Sequence, residues 1–174
     1  MKARKFNSIM PRVNEVWAAK VLNMELNGTF GPDLVDDKKI VEVKFFLVDL
    51  EEKYSKAWTV LEHQMNYGSN KQAFWALGSY RLSSPVSSIR TGSIDSLENL
   101  VQERELYIVS WNWMNQYIPS NTRGRTERSA WENTFRYPKL RDVPPVRKTF
   151  SVEKGKVHLT DDAQETLFNI NYIV

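Results

Sequence analysis

The segment Ile40–Val48 is apolar on both faces except for Glu42 and Lys44. A strand with two apolar faces belongs inside a sheet that is covered above and below. Charges on such a strand are costly unless they are partnered or used. The segment therefore belongs at the centre of a covered sheet and demands a purpose for its two charges. The residues before it supply a third charge. Leu34-Val35 and Ile40-Val41 read as strand, and Asp36-Asp37-Lys38-Lys39 reads as the turn of a hairpin spanning about 29–36 and 39–48. A turn centred there pairs Val35 with Ile40 and Leu34 with Val41, and sets Asp33 opposite Glu42. Opposed residues in antiparallel strands share a face, with Cβ atoms roughly 4.5–5.5 Å apart. Alternation puts Lys44 on the face of Glu42. Two carboxylates that close repel unless a proton or a cation lies between them. A hard divalent cation with oxygen ligands, such as magnesium, meets that need. A lysine beside it can stabilise negative charge growing on a phosphate, or steer a water molecule.

Pro32-Asp33 followed by Glu42-Val43-Lys44 resembles the motif of the PD-(D/E)xK nuclease superfamily, over about the first half of the chain. The resemblance implies an α/β fold with a central mixed β-sheet flanked by helices, the restriction-endonuclease-like core in αβββαβ order. It implies Asp33 and Glu42 as metal ligands, with the Val43 carbonyl beside them and Glu15 as a further acidic ligand from the first helix. Lys44 would position or activate the attacking water. Gln64 would be a helix glutamine reaching the active site or DNA, although Tyr67 follows it one residue short of the Gln-x-x-x-Tyr spacing of one subgroup. The implied activity is magnesium-dependent endonucleolytic hydrolysis of DNA, with manganese as an alternative ion and a 5′-phosphate as product. The implied substrate is double-stranded or branched DNA, and a homodimer would present two sites to two strands. Restriction-type cleavage, Holliday-junction resolution, and replication or repair cleavage stay open within the family. A non-catalytic nucleic-acid-binding module on the same fold and an RNA-directed nuclease stay open beside it. All three charged positions are filled, which counts against the non-catalytic module.

The rest of the chain reads as one domain, 1–174, with a core at about 12–112 and a basic, aromatic elaboration at about 113–174. Residues 12–26 show helical spacing after Pro11 and stop at Asn27-Gly28. Glu15 lies on that helix and Glu25 lies near its end. Residues 55–67 read as a second helix, with Ala57, Val60, Leu61 and Met65 on one face. Phe74–Leu82 and Leu106–Trp111 read as strands, with a short helix between them at Ile94–Gln102. Lys156–Thr160 reads as an edge strand and Asp161–Phe168 as a short helix. His63 reads as an ordinary helix histidine. His158 lacks a metal-ligand spacing partner and reads as structural.

Residues 123–148 carry eight Arg and Lys against three acids, with Trp131, Phe135 and Tyr137 interleaved. Arg123, Arg125, Arg128, Arg136, Lys139 and Arg141 are the residues expected to grip a nucleic-acid backbone while the aromatics pack or stack. The net charge of +3 leans towards an anionic partner only weakly. With no cysteine, neither disulfides nor cysteine-ligated zinc can form. No window reaches the ~18 apolar residues of a membrane span, and no apolar secretory segment follows the basic N-terminus. A cytoplasmic protein without a membrane partner is the expectation.

Overall fold

The computed structural model describes residues 3–28, 31–48, 57–61, 71–90, 92–116, 134–163 and 167–173. The first element, α1 (Ala3–Leu22), begins well before the expected residue 12 and runs through Pro11. A proline inside a helix removes a hydrogen bond and costs about 3 kcal/mol. Burial offsets that cost: Phe6, Met10 and Val13 pack with Tyr80, Leu82, Ile89, Leu97 and Val101. The helix ends earlier than residue 26. Asn23 adopts φ 52°, and the Met24 N–H reaches back to the Ala19 carbonyl at 3.0 Å, which is the left-handed cap that stops a helix.

Three short elements follow: β1 (Glu25–Leu26), β2 (Leu34–Val35) and β3 (Lys39–Leu47). Glu25 is thus on a strand, paired with Val35, and not on the helix. The hairpin register is the expected one, Leu34 with Val41 and Val35 with Ile40. Its turn is held by the Asp36 carboxylate, which accepts from the Lys38 and Lys39 N–H groups at 2.8 Å each.

The expected helix at 55–67 is overturned over its first part. Ala57–Leu61 form β4, paired antiparallel with β7 (Thr134–Lys139) in a separate two-stranded sheet. The aromatic and β-branched Trp58, Thr59 and Val60 suit a strand. Trp58 also decides the matter by burying against Trp75 and donating its indole N–H to the Gly78 carbonyl at 2.7 Å. The long strands β5 (Gln72–Leu82) and β6 (Val101–Ser110) are where expected, though β6 starts earlier and α2 (Ile94–Glu98) is correspondingly shorter. Trp111 leaves the strand to open α3 (Trp111–Asn115), which Ser110 caps by accepting from the Trp113 N–H at 3.0 Å.

The chain closes with β8 (Val146–Val152) and β9 (Gly155–Thr160). The expectation of an edge strand at 156–160 is wrong: β9 lies between β6 and β8, and β8 is the edge. Asp161–Ala163 form a turn rather than the start of a helix.

The seven-stranded sheet has the order β1-β2-β3-β5-β6-β9-β8 and is mixed, with β3–β5 and β6–β9 parallel and the other pairs antiparallel. Helix α1 covers one face, packing Trp17, Ala18, Val21 and Leu22 on Val41, Val43, Phe74, Ala76, Leu106 and Ile108. The other face buries Trp75, Leu77 and Val109 under Trp58 and Met114. The expected α/β class with a central mixed sheet is therefore what the chain adopts, with helix α1 on one face and β4 and the short α3 on the other. A buried Arg104 ties the layers: Nε donates to Asn14 Oδ1 and Nη1 to Glu98 Oε1, both at 3.0 Å, and the guanidinium lies 5.0 Å from the Trp17 ring centre. Among the described residues no helix is long and apolar enough to cross a membrane.

Candidate active site

Strand β3 runs on well past its partner β2, so from Glu42 onward its β2 side is open to other groups. Continued by two residues, the hairpin register sets Pro32 against Val43. Proline has no N–H to give the Val43 carbonyl. Gly31, at φ 141°, turns the chain just before it, in a region that side chains disfavour. The ladder therefore stops where side chains can replace it. Asp33 is not itself a strand residue; its carboxylate folds in and accepts the Val43 N–H at 2.8 Å. Lys44 Nζ takes the freed Val43 carbonyl at 3.2 Å.

The charged trio converges around that point. Lys44 Nζ contacts Glu42 Oε1 and stands 3.9 Å from Asp33 Oδ2. Glu42 is fully buried, and its second oxygen, Oε2, has no hydrogen-bond partner among the described residues. Burial pushes its carboxyl up to about 8; Lys44 opposes that shift, and the charges of Asp33 and Glu15 add to it. Glu15 approaches from α1. Its pKa is also raised, first by burial and then by Asp33, against the pull of Arg12 and Lys44. Arg12 Nη1 holds Glu15 Oε2 at 3.1 Å. The three carboxylates and Lys44 thus feel one another.

The donor set suits a hard divalent cation. It offers carboxylate oxygens from Asp33, Glu42 and Glu15 and a backbone carbonyl from Val43, all of the oxygen type that magnesium prefers. The orphaned Glu42 Oε2 is the atom most in need of such a partner, since a buried polar atom without a hydrogen bond is expensive. Among the described residues, however, no three Asp, Glu or His side chains stand together as a finished metal cage. The Lys44 ammonium lies beside both the Asp33 and Glu42 carboxylates and supplies positive charge there.

Of the other expected site residues, Gln64, Arg123, Arg125 and Arg128 lie outside the described residues, as does His63. Arg136 and Lys139 are on β7, whereas Arg141 sits in the turn after it with its side chain 75% exposed and its Nε 3.5 Å from Asp142 Oδ1. His158 is buried, stacked on Tyr107 and within 2.9 Å of Thr149 Oγ1 through Nδ1, remote in sequence order from the trio and part of the sheet. Sequence reasoning missed Arg12, although its place three residues before Glu15 on a helix is the spacing at which an ion pair forms. Compared with protein-family models, curated proteins and solved structures, the chain matches none.

Proposed function

We propose that the protein is a divalent-cation-dependent phosphodiesterase that cleaves DNA, with Asp33, Glu42, Lys44 and Glu15 as its working residues. The observation that carries this reading is the buried Glu42, with one oxygen on Lys44 and the other unpartnered among the described residues, beside Asp33 and the Val43 carbonyl, which takes its donor from Lys44 and not from a main-chain N–H. A structural ion pair would not need a third carboxylate within its electrostatic reach, nor an orphaned oxygen.

Asp33, Glu42 and the Val43 carbonyl would hold magnesium or manganese, with Glu15 completing the set once it leaves Arg12. Bound there, such an ion acidifies water and neutralises charge on the phosphate. Lys44, freed from Glu42, turns its ammonium to the water or to the non-bridging phosphate oxygens. It stabilises charge there that the apolar β3 environment would otherwise penalise. Asp33 is fixed by the Val43 N–H, so its remaining oxygen is oriented without a search over rotamers. Glu42 must lose its proton before it can ligate, which ties activity to pH. The superfamily resemblance of Pro32-Asp33 and Glu42-Val43-Lys44 supports the same chemistry, and Holliday-junction resolution is one biological form of it.

The test is a substrate panel of supercoiled plasmid, linear duplex, single strand and four-way junction, each incubated with magnesium and with EDTA. Cleavage that needs the cation, with 5′-phosphate ends, is the expected result. Tight binding without cleavage under any divalent ion would instead make the protein a nucleic-acid-binding module.

A further inference from the structure

A groove of about 730 Å³ opens between the N-terminal half of α1 and the outer end of β3, and Glu15, Val43 and Lys44 form part of its lining. Its walls are mainly apolar, with Phe6 and Met10 from the helix, Phe45 and Leu47 from the strand, and Val86 from the 3-10 turn Val86–Ser88, while Asn7 joins Glu15 and Lys44 as polar lining. Two buried polar side chains interrupt them. Asn14 is 2% exposed, and its oxygen is taken by Arg104 Nε at 3.0 Å, so its remaining hydrogen-bonding group is the NH2. Tyr80 is 6% exposed, and burial raises its phenol pKa, so it stays a neutral hydroxyl. Flat apolar walls with a few fixed donors are how a small-molecule site holds a planar polar ring. The size is in the range of such sites, roughly 300–1,000 Å³.

We infer that this groove receives one nucleobase, turned out of the stack, from the nucleotide next to the scissile phosphate. The inference rests on the phosphodiesterase reading of the adjoining trio. Lys44, the member of the trio that lines the groove, argues for this occupant, because a base bound here leaves its own phosphate at the mouth, beside that ammonium. The Glu15 carboxylate at the same mouth is balanced by Arg12 at 3.1 Å without a cation, and would be balanced by the cation once it leaves Arg12. Unstacking a base is cheapest where it is already unpaired. The preferred substrate is therefore DNA with a single-stranded, flapped or branched nucleotide at the cleavage position, rather than continuous duplex.

Binding tests this apart from catalysis. Oligonucleotides carrying 2-aminopurine at one unpaired position, and the same sequences fully paired, are titrated with protein in calcium and without magnesium. The expected result is an affinity about tenfold higher for the unpaired form, the scale of one stacked base, with a fluorescence change at that position. Val86→Trp, at a half-buried site on the groove wall, fills the space. It should abolish the preference and the fluorescence change while leaving duplex affinity and the melting temperature as in wild type. Tyr80→Phe, which removes only the hydroxyl, should weaken the unpaired form alone. Equal affinity for paired and unpaired DNA, or a preference that survives Val86→Trp, overturns the inference. Loss of magnesium-dependent cleavage with the preference intact would count against the phosphodiesterase reading and leave the groove assignment standing.

Discussion

At the residue scale the chemistry turns on Glu42. Its folded pKa is raised from about 4.5 to about 8, mainly by burial. A raised carboxyl favours the protonated form in the fold. The resulting stability is fully present below the unfolded value and is lost as pH rises through the folded one. The cation-free protein should therefore lose stability between about pH 4.5 and 8, by an amount on the order of a few kcal/mol. Glu42→Gln should flatten that loss in thermal melts recorded across this range. A melt profile for Glu42→Gln that parallels wild type would show that Glu42 does not carry the proton. Cation affinity runs the other way. In the proposed site deprotonated Glu42 would be the ligand, so manganese binding measured by calorimetry should strengthen as pH rises towards 8 and vanish in Asp33→Ala. The convergence of Asp33, Glu42 and Lys44 is legible in the sequence, because it follows from turn chemistry and the period of two along a strand. What the sequence could not display was the role of Pro32. Its effect is to withhold a donor from Val43, a residue eleven places on, which becomes visible only with the register in place.

Among the elements, local chemistry and distant packing divide the work. The hairpin register was readable because its turn and its β-branched flanks are neighbours in the chain. Ala57–Leu61 was misread as helix because the apolar spacing of Ala57, Val60 and Leu61 fits a helix face as well as a strand. The deciding contacts, Trp58 to Gly78 and β4 to β7, come from residues far along the chain. Pro11 misled in the same way: its local cost is overridden by Phe6 and Met10 burying against β5 and α2 neighbours. The internal position of β9 also rests on a long-range fit. Gly155 pairs with Arg104, and a Cβ there would stand 2.2 Å from the Arg104 carbonyl oxygen. Backbone cannot yield as a flexible side chain does. Gly155→Ala should thus destabilise the fold by about 1–3 kcal/mol, as overpacking does elsewhere, read as a lower urea midpoint. An unchanged midpoint would mean that β9 is not held against β6 as described.

Across the whole molecule, a seven-stranded sheet carries the trio near one end, where β3 outruns β2. Of the basic segment 123–148, Arg136 and Lys139 lie on β7, the exposed Arg141 in the turn after it, and Arg147 and Lys148 on β8. Its expected part is the electrostatic grip. Neutralising Arg123, Arg125 and Arg128 together should weaken DNA binding at all sequences. It should also reduce the slope of log affinity against log salt by about 2–3, close to 0.9 for each phosphate left without its cation. An unchanged slope would move the grip elsewhere. Hydrolysis by the trio on β3 and its hairpin is best tested by single-turnover nicking of supercoiled plasmid in magnesium, comparing wild type with Lys44→Ala at equal DNA occupancy. The expected result is a rate at least about 100-fold lower in the variant, the loss expected for a group acting on the proton or charge in the transition state, with binding retained. Equal rates in the two proteins would contradict it.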